Sequence, residues 1–206
     1  MLEYAICIAI GYLLGNFQTS VLISRMVYKD DIRHHGSGNA GTTNMLRVFG
    51  MKSGSVTFVG DLIKGVLSVF IGRWIGGEIG GYLCGLGTVL GHDYPAFFGF
   101  RGGKGVASTL GILWVISPLH AAIITVVTFG VIFATKMVSL GSLVGMAIFF
   151  ALSIAFHWGE VVRLIFVGLL LVLIVIRHRE NIERIFKGQE SKLFQTSKSK
   201  KHDQEG

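Results

Sequence analysis

Three polar stretches in an otherwise apolar chain carry the residue types that handle phosphate. The first is Gly36-Ser37-Gly38-Asn39-Ala40-Gly41-Thr42-Thr43-Asn44, followed by Arg47 and Gly50. Its glycines let the backbone turn tightly and bring N–H groups close to a ligand. Ser37, Thr42 and Thr43 offer hydroxyls, Asn39 and Asn44 offer amides, and Arg47 offers a planar fork of donors suited to phosphate. Together these describe an oxyanion cradle of backbone and neutral donors with one fixed cation. A solvated interhelical loop has the same composition, since Gly, Ser and Asn are also loop residues. The match to G-x-G-x-x-G over 36–41 is not a dinucleotide fingerprint. An apolar segment and the polar run 29–35 precede it, where the fingerprint needs a strand of a βαβ unit.

The second stretch covers 91–107. Gly102-Gly103-Lys104-Gly105 puts flexible backbone ahead of a helix N-terminus, whose free N–H groups and dipole favour an anion, and Lys104 adds a point charge. It is not a Walker A loop, because no Ser or Thr follows the Lys and position 98 is Phe. Phe97, Phe98 and Phe100 read as interfacial anchors at headgroup level, or as the lining of an acyl entry. His92 is either a base or a capping, hydrogen-bonded histidine. The third stretch, 177–190, holds Arg177, His178, Asn181, Arg184 and Glu190. Ile182, Ile185 and Phe186 recur at helical spacing, which predicts an amphipathic helix continuing the last span or lying on the inner surface. Arg179 and Lys187 fit a positive-inside stop. His178, Asn181 and Arg184 are not needed for one.

The elements that must position these residues are membrane helices. Of the 206 residues 51% are hydrophobic and 15% charged, against about 25% charged in a soluble domain. Mean hydropathy is +0.61. No separate water-soluble domain fits in the chain, and the first apolar run lacks the basic start and cleavage site of a signal peptide. About 20 apolar residues cross a bilayer core. That rule predicts about seven spans, near 2–24, 55–72, 76–92, 104–119, 121–136, 138–157 and 161–177. The expected fold is therefore an all-α polytopic membrane helix bundle, a single domain over 1–190 with a polar, disordered cytoplasmic tail over 191–206. With the N-terminus outside and the C-terminus cytoplasmic, all of the 19 Lys and Arg residues except Lys64, Arg73 and Arg163 lie inside. All three polar stretches then share the cytoplasmic side.

Within the spans, Asn16, Gln18, Thr19 and Ser20 predict that the second half of the first faces protein. The glycine pairs Gly11/Gly15, Gly77/Gly81, Gly81/Gly85, Gly87/Gly91 and Gly141/Gly145 are spaced for close helix packing. Asp61 and Lys64 lie on one helix face and can pair, either as a neutralised structural pair or as part of a polar cavity wall. Cys7 and Cys84 read as small core residues, and the adjacent pair His34-His35 lacks the further ligands a zinc site needs.

Taken together, the three stretches are more specific than any one. Ser37-Gly38-Asn39-x-Gly41-x-Thr43-Asn44-x-x-Arg47-x-x-Gly50 resembles the first signature of the bacterial, membrane-integral acyl-phosphate:glycerol-3-phosphate acyltransferase family. Gly91-His92-x-x-Pro95 with Gly102-Gly103-Lys104-Gly105-Val106-Ala107 is similar to the second. Arg177-His178-x-x-Asn181-Ile182-x-Arg184 with Gly188-x-Glu190 is similar to the third. The resemblance covers about residues 1–190. Thr42 stands where the pattern leads one to expect Ala, and Ser108 where it leads one to expect Thr.

That resemblance implies a multi-pass enzyme of the cell inner membrane with its active site facing the cytoplasm. The implied reaction moves a fatty acyl group from acyl phosphate to the 1-hydroxyl of glycerol 3-phosphate, giving lysophosphatidic acid and phosphate in the first step of phospholipid synthesis. The implied catalytic residues are Ser37, Lys104, His178 and Asn181. The implied substrate-binding residues are Gly38, Asn39, Gly41, Thr43, Asn44, Arg47, His92, Gly102, Gly103, Gly105, Arg184 and Glu190. No cofactor or nucleic acid is implied. The partners are the two substrates, membrane lipids and the soluble enzyme that makes acyl phosphate. Two phosphate-bearing substrates call for two adjacent anion sites, and a lipid tail calls for a site between helices. An acyl phosphate has a good leaving group, so donors that stabilise the oxyanion matter most. The proton of the glycerol hydroxyl goes to His178, to His92 or to a substrate phosphate oxygen. Neither a Ser-His-Asp set nor an H-x-x-x-x-D motif is present, which predicts direct transfer without an acyl-enzyme. The rival from another class is a membrane transporter of a phosphorylated metabolite, which calls for paired repeats with interrupted helices.

Overall fold

The structure, a computed structural model, describes residues 1–193. These form helices and turns without a strand: α1 (Leu2–Asn16), α2 (Thr19–Val27), α3 (Thr42–Asp93), α4 (Val106–Ile116), α5 (Pro118–Thr135), α6 (Val138–His157), α7 (Val161–Arg177) and α8 (Arg179–Phe186), with 3-10 turns at Ile32–His34 and Ala96–Phe98. Most of the tail expected to be disordered, from 194 onward, lies outside the described residues. Its first residues are bonded to the bundle, with Leu193 N donating to Lys136 O at 2.8 Å.

The first expected span is two helices. Phe17 and Gln18 are extended, and the amides flanking that break are engaged elsewhere. Gln18 Nε2 donates to Gly15 O and His92 O, while Asn16 Oδ1 accepts from Phe97 N. Thr19, Ser20, Val21 and Ser24 are buried, as the polar run predicts.

The long element α3 bends twice. Gly50 (φ 83°) and Gly77 (φ 62°) take backbone conformations open to glycine but strained for other residues. They divide α3 into a first segment (42–49), a middle arm (51–75) and a return arm (78–93). The arms run antiparallel, because a Cβ on Gly72 would lie 2.2 Å from Gly80 O. The expected spans 55–72 and 76–92 are thus the two arms of one hairpin. Gly77 is its turn and not a packing glycine, since nothing lies within 4 Å of its added Cβ.

The other glycines bring backbones together, which suits a lipid setting where helix association depends on close van der Waals packing. A Cβ on Gly11 or Gly15 would lie 2.0 or 2.2 Å from the carbonyls of Cys84 or Thr88, so α1 lies on the return arm. Gly87 and Gly91 complete that contact from the other side. Gly65 approaches Ser108 O and Gly111 approaches Leu62 O, seating α4 on the middle arm. Gly141 and Gly145 pack against Thr128 and Ile132 of α5. The apolar core lies among α3 to α7, with Ile112, Phe149, Val167 and Leu170 fully buried. Large apolar side chains such as Phe70, Trp74, Val126 and Phe156 face outward, as a lipid-embedded surface requires.

By length and composition four helical stretches qualify to cross a membrane, or five if α7 and α8, bent by 61°, count as one. The stretch Thr42–Phe98 is one of them and contains both arms. At 11 residues α4 spans about 16 Å, so the expected span 104–119 is shorter than a bilayer core needs by itself. The amphipathic helix expected after the last span is α8, with Phe186 exposed.

Candidate active site

The loop before α3 is shaped by Asn44. Its side chain is buried; Oδ1 accepts from Ser37 N at 3.0 Å, and Nδ2 faces the carbonyls of Ile32, His35 and Asn39 at 3.2, 2.9 and 3.1 Å. Expected as a substrate donor, Asn44 edges the cavity with its amide engaged by the loop itself. Gly36 and Gly38 supply the left-handed turns that fold the loop over it. Arg33 fastens the base of the loop through Asp31 at 2.8 Å and Phe98 O at 2.6 Å. Its guanidinium holds the Asp31 carboxyl well below the usual range.

The first turn of α3 then presents amides that no helical carbonyl can reach. Beside them, Thr42 Oγ1 and Arg47 Nε are buried and have no hydrogen-bond partner among the described residues. Arg47 Nη2 donates to Ser191 O at 2.9 Å. Thr42 and Thr43 both read as hydroxyl donors, but the substrate-binding residues implied by the resemblance include Thr43 alone; Thr42 carries the unengaged buried hydroxyl.

The second loop is fastened to the first. Ala40 N donates to Gly102 O at 3.4 Å, and Gly103 N donates to His92 O at 3.0 Å. Gly103 leaves no room for a side chain, because a Cβ there would lie 2.1 Å from His92 Nε2. Expected to bind substrate, Gly103 lies behind the site, with its carbonyl gripped by Arg177 Nε and Nη2 at 3.1 and 2.6 Å. Arg177 also rests over the Tyr94 ring, its guanidinium carbon 4.9 Å from the centroid. Gly105 (φ 66°) then opens α4, whose first turn faces the same space as that of α3.

His92 resolves toward the hydrogen-bonded alternative. Its Nδ1 lies 2.8 Å from Lys64 Nζ, so its lone pair is engaged by an ammonium. Lys64 also reaches Asp61 Oδ1 at 2.9 Å and the carbonyls of Phe17 and Gly15. The Asp61–Lys64 pair is therefore a neutralised structural pair, and Asp61 edges the cavity as well.

The third stretch closes the site. Lys104 Nζ donates to Asn181 Oδ1, and Asn181 Nδ2 donates to Glu190 Oε1 at 2.6 Å. Glu190 also accepts from Ser139 Oγ at 2.8 Å and Arg184 Nε at 2.9 Å. Burial pushes its carboxyl up, but the Asn181, Ser139 and Arg184 donors outweigh that and leave it below its ordinary value. A carboxylate so placed repels a phosphate; Glu190 orients the donors around it and offers none of its own. His178 Nδ1 lies 2.8 Å from Ile174 O, and a carbonyl can only accept, so this nitrogen carries the proton. That leaves Nε2 with a free lone pair.

These parts surround one cavity of about 1010 Å³. Every expected site residue except Gly103 lines it. So do Thr42, Asp61, Tyr94, Arg101, Ser139, Arg177 and Arg179, which are absent from the site residues implied by the resemblance, although Thr42 reads as a donor and a polar cavity wall is one of the two readings of Asp61. One end holds the two helix N-termini, Lys104, Arg47, Arg184 and His178. Apolar side chains complete the walls, among them Phe58, Val59, Leu110, Phe129, Ile132 and Ile176, with the hydroxyls of Ser55, Thr128 and Ser142 between them. A doubly anionic head and a hydrocarbon tail fit this division.

The family described as Glycerol-3-phosphate acyltransferase matches residues 5–188. This chain belongs to that family. A glycerol-3-phosphate acyltransferase of Thermoanaerobacter pseudethanolicus is 41% identical over 198 residues, covering 96% of this chain and all of the relative. The enzyme of that name from Clostridioides difficile is 39% identical, covering 94% of this chain and 97% of its own. The chain is similar to the crystal structure of PlsY, an integral membrane glycerol 3-phosphate acyltransferase, in its glycerol 3-phosphate form. The TM-score is 0.84 at 35% identity, over 93% of this chain and 99% of the other. The lysophosphatidic acid form of PlsY gives a TM-score of 0.81. Membership in the acyltransferase family displaces the transporter reading.

Proposed function

We propose that this chain is an integral membrane acyltransferase that moves a fatty acyl group from acyl phosphate to the 1-hydroxyl of glycerol 3-phosphate. The observation that carries this reading is the convergence of two helix N-termini and the cations Lys104, Arg47 and Arg184 on one cavity that also has apolar walls. The names and bound forms of the relatives support the acceptor and the product. The two adjacent cradles support a mixed-anhydride donor, whose phosphate calls for a second anion site.

In the reaction the glycerol hydroxyl oxygen attacks the acyl carbon, the C–O bond to phosphate breaks, and phosphate leaves. Lys104 and the first-turn amides of α4 meet the negative charge that develops. Asn181 aims Lys104. The hydroxyl proton goes to His178 Nε2 or to a phosphate oxygen of the substrate. Ser37 is a donor to an oxyanion and carries no acyl group.

The chain adopts seven crossings, with both arms of α3 counted and α4 completed by its flanking loops. Its N-terminus is outside and its C-terminus cytoplasmic, because that arrangement leaves only Arg73 and Arg163 on the outer side. The site then faces the cytoplasm in the cell inner membrane, where a soluble enzyme supplies acyl phosphate.

The test uses purified protein in detergent with labelled glycerol 3-phosphate and either palmitoyl phosphate or palmitoyl-CoA. Labelled lysophosphatidic acid forms with the acyl phosphate and is lost in Lys104→Ala. Product formed only with the thioester sinks the donor assignment. An acyl adduct on Ser37, trapped for mass spectrometry, sinks direct transfer.

A further inference from the structure

Beyond the main cavity lies a second, smaller one of about 40 Å³. The two share five wall residues, Leu110 and Phe129 among them, so only side chains separate them. Its own residues are Thr109, Leu113, Ile124, Thr125, Met146 and Ile174. On each of four helices these lie farther from the polar end than the main-cavity residues do. On α4 the wall passes from Val106 to Leu113, about 10 Å along the axis. On α5 it passes from Ile132 back to Ile124, on α6 from Ser139 to Met146, and on α7 from Ile176 back to Ile174. The small cleft thus continues the main cavity along the helices, directed away from Lys104.

We propose that this cleft receives the end of the acyl chain and that Thr125 and Met146 set the longest chain the enzyme uses well. This deepens the acyltransferase reading and rests on it. The cleft has its far residues in the packed core: Leu113, Ile124 and Met146 are 1%, 4% and 3% exposed and share a core cluster with the fully buried Phe149 and Leu170. It is nearly free of polar demand. Thr125 Oγ1 donates to Ala121 O and Ser142 Oγ to Val138 O, both within their own helices, leaving Thr109 Oγ1 as its one unengaged buried hydroxyl. A dry apolar gap in a packed bundle lacks contacts on one side. A chain long enough to enter the gap makes those contacts. A longer one meets the packed core.

The experiment measures kcat/KM with saturated acyl phosphates of twelve to eighteen carbons for wild type, Thr125→Leu, Met146→Ala and Met146→Leu. In parallel, thermal shift follows the binding of lysophosphatidic acids of the same lengths, a readout that does not depend on the donor. Thr125→Leu fills the cleft and lowers use of the longest good donor about tenfold relative to the twelve-carbon donor, the scale of one or two methylenes in a hydrophobic pocket. Met146→Ala deepens it and shifts the preference toward longer chains, while Met146→Leu keeps the wild-type profile. The melting-temperature profile moves with chain length in the same directions. If Thr125→Leu and Met146→Ala bind product with the wild-type length profile, the inference is overturned. If instead the wild type turns over no acyl phosphate while the product profile shifts as stated, the donor assignment has failed and the cleft stands.

Discussion

Lys104 Nζ donates to Asn181 Oδ1, joining the loop before α4 to α8 across the mouth of the cavity. Asn181 in turn holds Glu190. The ammonium is thereby aimed by an amide that a carboxylate orients, and the two residues act as one unit. Removing either one misplaces the other.

Replacing Lys104 by Ala therefore lowers kcat/KM by at least about a hundredfold, the scale of losing one oxyanion donor. Asn181→Ala costs nearly as much, and the double variant is far less than additive. Kinetics on the four proteins of this cycle measure the coupling.

His178→Gln separates the two proton acceptors. If Nε2 takes the proton, the variant loses about a hundredfold or more in kcat with little change in KM. If the substrate phosphate takes it, kcat changes less than tenfold. Steady-state rates under saturating donor distinguish these outcomes.

Asn44→Ala leaves Ser37 N without an acceptor and takes one of two donors from the carbonyls of His35 and Asn39, which keep the N–H groups of Gly38 and Gly41. About 1–3 kcal/mol of stability is lost for a buried group left unpaired. Activity falls further than stability, because the cradle unfolds first. Melting temperature and activity, measured side by side, show the separation.

Two glycines make a matched pair. A Cβ on Gly65 would lie 2.1 Å from Ser108 O, a backbone atom that cannot turn aside. Gly65→Ala therefore pushes α4 off the middle arm and abolishes folded protein. Gly130 on α5 has nothing within 4 Å of an added Cβ, so Gly130→Ala is neutral or stabilising by up to about 1 kcal/mol. Size-exclusion profiles and melting curves of the two variants test this.

The three polar stretches were legible because phosphate chemistry is local: donors and glycines sit within a few residues of one another. That Gly11/Gly15 and Gly87/Gly91 pack closely was legible too, since their spacing announces it. What periodicity does not reveal is the partner across an interface. Gly65 and Gly111 belong to no pair of glycines four apart, yet they make the tightest contacts of α4. Gly77 has the spacing of a packing residue and serves as a turn, which becomes visible only when the two arms are laid antiparallel. Arg177 stands in the third polar stretch, but its target, the carbonyl of Gly103, is a backbone atom without a side-chain signature. Glu190 shows only that a carboxylate is present. Whether it meets substrate or orients other donors depends on Ser139, 51 residues away.

The break between α1 and α2 also constrains the order in which the protein is assembled. Gln18 Nε2 finds His92 O across 74 residues, and Asn16 Oδ1 finds Phe97 N across 81. During synthesis the first helices reach the bilayer long before those partners exist. Their amides must wait in water or at the lipid surface until the hairpin of α3 has been made. The N-terminus is therefore the first part translated but is completed only after the hairpin, and the enzyme closes from its middle outward.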